Sequence, residues 1–184
     1  MDVEPSKAFK LLSPRLVAVI TTLDEKGIVN AAPYSWVFPF GFDPSLVAVG
    51  SSKGKHTFDN ALERGEFVVN LVSKDFAQKA VSLEKKHEIG ENTLEKAGLN
   101  PVPSKAVKVP GIKESKVRIE CVFEEVVKPK ASDHDFVVGR VVAGFCEKLS
   151  ENGAPDFDSL EILTHVSGPE LREIGKAFFV ERKK

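Results

Sequence analysis

Apolar runs of five to eight residues, broken by Gly, Pro and short polar clusters, divide most of the chain into strand-length segments. "RLVAVITT" (15–22) and "IVNAAPYSW" (28–36) flank "LDEKG" and predict a hairpin. "SLVAVGSS" (45–52) has almost no polar face and predicts a third strand buried on both sides. A helix is expected over 57–64, with Thr57 as N-cap, Asn60 three residues on, and Gly65 as the stop. "EFVVNLVS" (66–73) is a fourth strand. Helical spacing of Phe76, Ala77, Ala80 and Val81 then predicts a helix within 73–87, capped by Ser73. Residues 91–99 form another short helix closed by Gly98, and 101–111 are a Pro-rich connection. Two long antiparallel strands follow, 116–128 and 135–149, around "PKASDH"; shorter ones are expected at 161–167 and 177–182. A short leading helix over 5–12 ends at Ser13–Pro14.

These segments make a mainly β chain of about seven strands with inserted helices. Hairpin connections without β-α-β alternation exclude a doubly wound sheet and predict a closed or partly closed antiparallel barrel, which removes exposed strand edges. No linker or repeat divides the sequence, so residues 1–184 read as one domain.

Composition narrows the function. The formal net charge of 184 residues is −1, which gives no global attraction to nucleic acid or an anionic membrane. No apolar run approaches the ~20 residues of a membrane span, and the first residues lack a signal peptide's apolar core, so a cytoplasmic protein is expected. Cys121 and Cys146 stand singly in strand-like runs, which predicts buried free thiols and no metal site.

Three stretches carry candidate chemistry. In "AVGSSKGKHTFDNALERG" (48–65) a buried strand opens through Gly, Ser and Lys into a helix. The spacing fails the ATP-type loop, because three residues separate Gly50 from Gly54 and His56 follows Lys55. Ser51, Ser52, Lys53, Lys55, His56 and Thr57 still assemble hydroxyls, cations and the free amides of a helix start, the ingredients of a phosphate site. An ordinary capped helix with solvated lysines is the equal alternative. In "NAAPYSWVFPFGF" (30–42), Trp36, Phe38, Phe40 and Phe42 recur with period two on a segment that Pro39 and Gly41 make a poor central strand. Such a row covers a planar ligand or a subunit neighbour, or simply caps the barrel. The small residues before it let a flat ring approach the backbone amides. His134, in "SDHDFVVGRV", could donate to a ligand or be merely solvated; His165 has the same status, and His87 reads as surface.

Taken together, "VNAAPYSW", "SSKGKHTFDN", "EFVVN" and "SDHDFVVGRV", in that order, resemble the flavin reductase-like family of FMN-binding split barrels, in particular its flavoredoxin-like branch. The likeness runs from about Leu12 to "AFFVE" and implies a dimeric antiparallel split barrel with FMN near the interface. It assigns Asn30, Ala31, Ala32, Pro33, Tyr34, Ser35 and Trp36 to the isoalloxazine. Ser51, Ser52, Lys53, Lys55, His56 and Thr57, with Asn60 behind, go to the ribityl chain and phosphate. Ser132, Asp133 and His134 match a motif on the NAD(P)H side, which makes His134 the candidate catalytic residue.

The resemblance thus implies a flavoprotein oxidoreductase that takes hydride from NAD(P)H, or electrons from a protein partner, to an acceptor through FMN. A flavoredoxin-like carrier without an NAD(P)H site and a non-redox ligand-binding barrel are its rivals. Hydride transfer needs no general base, in keeping with a sequence that displays binding groups and no catalytic triad.

Overall fold

A computed structural model describes residues 1–85, 87, 88, 90–178 and 180. Seven strands form one antiparallel sheet: β1 (Ala18–Leu23), β2 (Val29–Tyr34), β3 (Val37–Phe42), β4 (Ser45–Ser52), β5 (Glu66–Leu71), β6 (Val117–Val127) and β7 (His134–Cys146). Their order is β2-β1-β5-β6-β7-β4-β3. The two ends of that order, β2 and β3, are joined in sequence by Ser35 and Trp36 alone. The sheet must therefore curl until its edges nearly meet, while the edges themselves share no ladder. That is an antiparallel split barrel, as the strand pattern predicts.

Strand alternation places two apolar layers. Ala18 and Ile20 of β1, Val47 and Val49 of β4, Phe67 and Val69 of β5, Cys121 of β6 and Val137 of β7 fill the interior. Val17 and Val19, one residue out of phase, pack outward with Ala31, Val72, Phe76, Ala80, Leu94 and Ile112 under the short helices. Two buried faces explain why these strands read as unbroken apolar runs. Burial pushes the Cys121 thiol up to about 12, with the Glu120 charge adding to the shift. It is a free thiol, as is Cys146, which is only partly covered.

One polar residue pins the outer layer. Asn70 is fully buried; its Nδ2 donates to the Val19 carbonyl (3.0 Å), and its Oδ1 accepts the Ile112 amide (2.8 Å). The Pro-rich connection is thereby stitched to the barrel wall, and its ends pair as a small ladder of Pro101–Val102 with Gly111–Ile112.

Several expected elements differ in detail. Residues 37–42 do form a strand, but at the sheet edge, where Pro39 is tolerated, and with a register shift between Pro39 and Gly41. The helix expected within 73–87 is a 3-10 turn, Lys74–Phe76, followed by Ala77–Ser82. Ser73 gives its hydroxyl to Asp75 and caps no amide. A strand at Glu170–Glu173 pairs with Leu163–Ser167, an interaction the sequence pattern missed. The expected final strand over 177–182 lies partly outside the described residues, and Ala177, Phe178 and Val180 are not in a strand. No helix among the described residues is long and apolar enough to cross a membrane.

Candidate functional site

A cavity of about 480 Å³ lies between β2 and the start of helix α1 (His56–Arg64). Of the residues nominated from sequence, Asn30, Ala31, Ala32, Pro33, Tyr34, Lys55, His56, Thr57 and Asn60 line it. Segments some 25 positions apart in the chain meet because α1 packs back across β1 and β2. Asn60, buried on α1, donates to Thr22 Oγ1 of β1 at 3.3 Å and fixes that docking.

The α1 start departs from the expected cap. Lys55, not Thr57, is the N-cap residue, and no side chain caps the helix. Thr57 lies inside the first turn, buried, and its Oγ1 accepts the Asn30 Nδ2 at 2.9 Å. The hydroxyl that would have satisfied the helix amides is instead spent on β2. The amides of Phe58 and Asp59 reach the Lys55 carbonyl, at 2.8 and 3.2 Å. Those of His56 and Thr57 have no hydrogen-bond partner among the described residues, and both residues line the cavity. Gly65 closes the helix in the left-handed conformation, at φ 70°.

Tyr34 links the strand to this turn. Its ring stacks on Phe58 at 6.1 Å, and burial raises the phenol's pKa while the neighbouring Thr57 and Ser51 hydroxyls pull it down. The phenol therefore stays protonated at neutral pH. The Ala31 backbone, expected to be free for a ring, is engaged: its amide donates to Thr93 Oγ1 at 2.6 Å, and that hydroxyl donates to the Ala31 carbonyl at 3.2 Å. Pro33, two residues on along the same edge, has no N–H. The β2 edge thus meets the cavity mainly with small side chains.

The remaining nominated residues lie along the end of β4 and the start of β7, with Ser51 still beside the Tyr34 phenol. Ser51 and Ser52 end β4 opposite Asp135 and His134 of β7. The Ser51 hydroxyl donates to the Ser52 carbonyl at 3.1 Å, and the Lys53 ammonium donates to the Ser132 carbonyl at 3.3 Å. His134 lies flat on Trp36, with centroids 4.5 Å apart and planes at 25°. Its Nδ1 is 2.6 Å from Asp133 Oδ1, a contact that holds the Asp133 carboxyl below its usual range through the hydrogen bond first and charge second. Phe136 stands 6.1 Å from Trp36 and edge-on to Phe38 at 5.8 Å. Gly50 makes this packing possible, because a Cβ there would lie 2.7 Å from the Phe136 ring and 3.1 Å from Trp36 Cβ. The aromatic row is cut by the β3 bulge. Trp36 and Phe38 face a second, apolar hollow with Ser35, whereas Phe42 is 96 % exposed.

The far wall of the main cavity was not legible in the sequence. It is built from Leu83, Glu84, Lys85, His87, Glu88, Gly90 and Glu91. His87, which reads as surface, is largely covered, and its Nε2 is buried with no partner among the described residues. The same is true of one Asp135 carboxylate oxygen, opposite Ser51. Glu91 pins this wall by pairing with Lys96 and accepting the Glu88 amide; the Lys96 contact is the main cause of its lowered pKa. Its only sequence signal is the density of charge over 84–91, which reads equally well as a solvated face.

The class of the molecule is thus an antiparallel split β barrel with an uncapped helix start bordering a cavity. Residues 11–163 match the flavin reductase like domain, and the chain belongs to that family. The protein YwrF of Bacillus subtilis is 35 % identical over 95 % of this chain and 92 % of its own length. Nitrilotriacetate monooxygenase component B of Bacillus cereus superposes with a TM-score of 0.88 at 28 % identity, covering 98 % of each chain. An FMN-binding protein of Thermus thermophilus, whose crystal structure contains 1-cyclohex-2-enone, shares the fold with a TM-score of 0.80 at 23 % identity and 98 % coverage of both chains. The resemblance read from the ordered motifs is correct at the level of family and fold.

Proposed function

We propose that this chain is an FMN-dependent oxidoreductase, with the flavin phosphate seated on the start of α1 and the flavin ring against β2. The observation that carries the reading is the uncapped first turn of α1: its side-chain cap is committed to β2, and its free amides border a cavity of about 480 Å³. That volume falls within the range of small-molecule and cofactor sites. The residues fit a monoester phosphate. The His56 and Thr57 amides donate at the positive end of the helix dipole, and the Lys55 ammonium supplies countercharge. Asn30 keeps Thr57 in place, and Ala31, Ala32 and Pro33 give a low wall on which a planar ring can lie. The Thermus relative's description as FMN-binding supports the choice of FMN.

Bound flavin supplies hydride or electron exchange between a donor and an acceptor. The chain's part is to hold the phosphate, keep the ring flat and keep water from one face. NAD(P)H is the donor in this reading. His134 serves on its side, oriented by Asp133 and Trp36, with Nε2 unpartnered among the described residues. Phe40, at the β3 bulge, and Phe42, beyond it, are exposed and give a second copy of the chain an apolar surface to cover, so a homodimer belongs to the proposal.

The test is spectroscopic. Purified protein titrated with FMN should acquire a shifted absorption band near about 450 nm and quench FMN fluorescence with saturation. Protein that gains no flavin absorbance would sink the flavin reading. Anaerobic mixing with NADH and with NADPH should bleach that band. A band that survives both nucleotides removes the NAD(P)H arm and leaves an electron carrier fed by a protein partner.

A further inference from the structure

The family resemblance places Tyr34 with the flavin ring, but its side chain reaches the other end of the site. Asn30, Ala32 and Tyr34 alternate along β2 and share one face of the strand. Ala32 is short, whereas its two neighbours on that face touch the first turn of α1. Asn30 Nδ2 donates to Thr57 Oγ1 at 2.9 Å, and the Tyr34 ring stacks on Phe58 with centroids 6.1 Å apart and planes at 25°. The phenol then lies beside two hydroxyls, those of Thr57 in α1 and Ser51 in β4.

Those hydroxyls mark the two ends of the turn that carries Lys53, Lys55 and His56. Both ends are buried, with Ser51 5 % and Thr57 3 % exposed, while 53–56 are exposed. The Ser51 hydroxyl donates to the Ser52 carbonyl at 3.1 Å, and the Thr57 oxygen accepts the Asn30 amide. Each oxygen keeps a lone pair that the phenol proton can engage. Burial raises the phenol's pKa, so the group facing the turn is a neutral O–H and sets no negative charge against an incoming anion.

We propose that Tyr34 is a positioning residue that makes the site selective for a monoester phosphate: its phenol braces Ser51 against Thr57 and holds the 51–57 turn in shape before the ligand arrives. The role rests on the function proposed above and deepens it, moving Tyr34 from the ring end of the ligand to the phosphate end. A turn without the brace has to be ordered as the phosphate binds, and that ordering weakens affinity. The low wall of Ala31, Ala32 and Pro33, where the ring lies, does not depend on the brace. A flavin lacking its phosphate is therefore indifferent to the phenol oxygen.

Removing that oxygen is the test. Tyr34→Phe keeps the stack on Phe58 and the apolar burial, and deletes only the hydroxyl. FMN and riboflavin are titrated into the unaltered chain and the variant, with binding read by quenching of flavin fluorescence. FMN affinity should fall by roughly 10-fold, the scale of one hydrogen bond, while riboflavin affinity stays the same. A merely structural tyrosine would lower both affinities or neither, and either result would overturn the proposal. Tyr34 is the single tyrosine among 184 residues, so fluorotyrosine incorporated into the chain gives one fluorine NMR resonance that reports it alone. Inorganic phosphate should move that resonance in the same direction as FMN does, and riboflavin should leave it in place. A resonance that riboflavin moves, or that phosphate does not, returns Tyr34 to the ring end and ends the proposed role. Should Tyr34→Phe fail to fold, the fluorine titration decides alone. A shift with inorganic phosphate in a protein that gains no flavin absorbance would count against the flavin reading only.

Discussion

Residues 30–34 and 36–38 are almost continuous in the chain, yet they face different chemistry. The first stretch pairs with β1 and presents small side chains to a cavity of amides, hydroxyls and charges. The second pairs with β4 and turns Trp36 and Phe38 toward an apolar hollow. Ser35 and Trp36 carry the chain from one sheet edge to the other, so a two-residue crossing exchanges every neighbour at once. Proximity in sequence says little about a shared site when the chain changes edges. What decides is the element packed opposite, which is α1 for one stretch and β7 for the other.

Breaking the polar end should have the largest effect. Lys55→Ala combined with Thr57→Ala removes the cation and the hydroxyl that holds Asn30, each worth on the order of 1–2 kcal/mol. FMN affinity, read by fluorescence quenching, should fall by roughly 30- to 1,000-fold on that scale, while the Trp36 environment stays unchanged. Unaltered FMN affinity in the folded double variant would mean that the phosphate lies elsewhere.

Gly50→Ala tests the apolar end. Its Cβ would meet the Phe136 ring at 2.7 Å, and relieving such overpacking costs typically ~1–3 kcal/mol. The melting temperature should drop by several degrees and Trp36 emission should shift, with FMN affinity changed far less than in the double variant. A comparable loss of FMN affinity would show that the two regions act as one.

The smallest effect is a pH dependence. Hydrogen bonding and charge from His134 depress the Asp133 carboxyl, so this contact stabilises the folded state above the ordinary Asp value of about 3.9. The contribution is lost as pH falls through the depressed folded-state value. Trp36 emission should therefore hold steady as pH falls to about 4 from this cause and change only in stronger acid. Asp133→Asn should remove that acid-side change.

Much of this was legible in local pattern. Strand positions followed from unbroken apolar runs such as 45–52, and the Gly65 stop and the glycine closing the 93–96 helix sit where the sequence puts them. The ingredients of the phosphate turn were readable because helix starts and basic side chains are local facts. The Thr57 cap was misread because an N-cap side chain has two possible clients, the helix's own amides and a neighbour brought in by folding. Asn30, 27 positions away, took it. His87 was misread for a related reason: a charged segment looks solvated until the wall it belongs to is assembled around it.

By itself, then, the sequence determined the strands, the barrel class, the family and the chemical character of each stretch, because those depend on side-chain periodicity and backbone preference within a few residues. Only the tertiary structure decided that Ala31's amide is spent on Thr93, that His87 and Glu91 stand in the cavity wall, and that Trp36 stacks on His134. Those outcomes depend on which hydrogen-bonding groups compete for one another across the fold, and that competition does not exist until the barrel has curled.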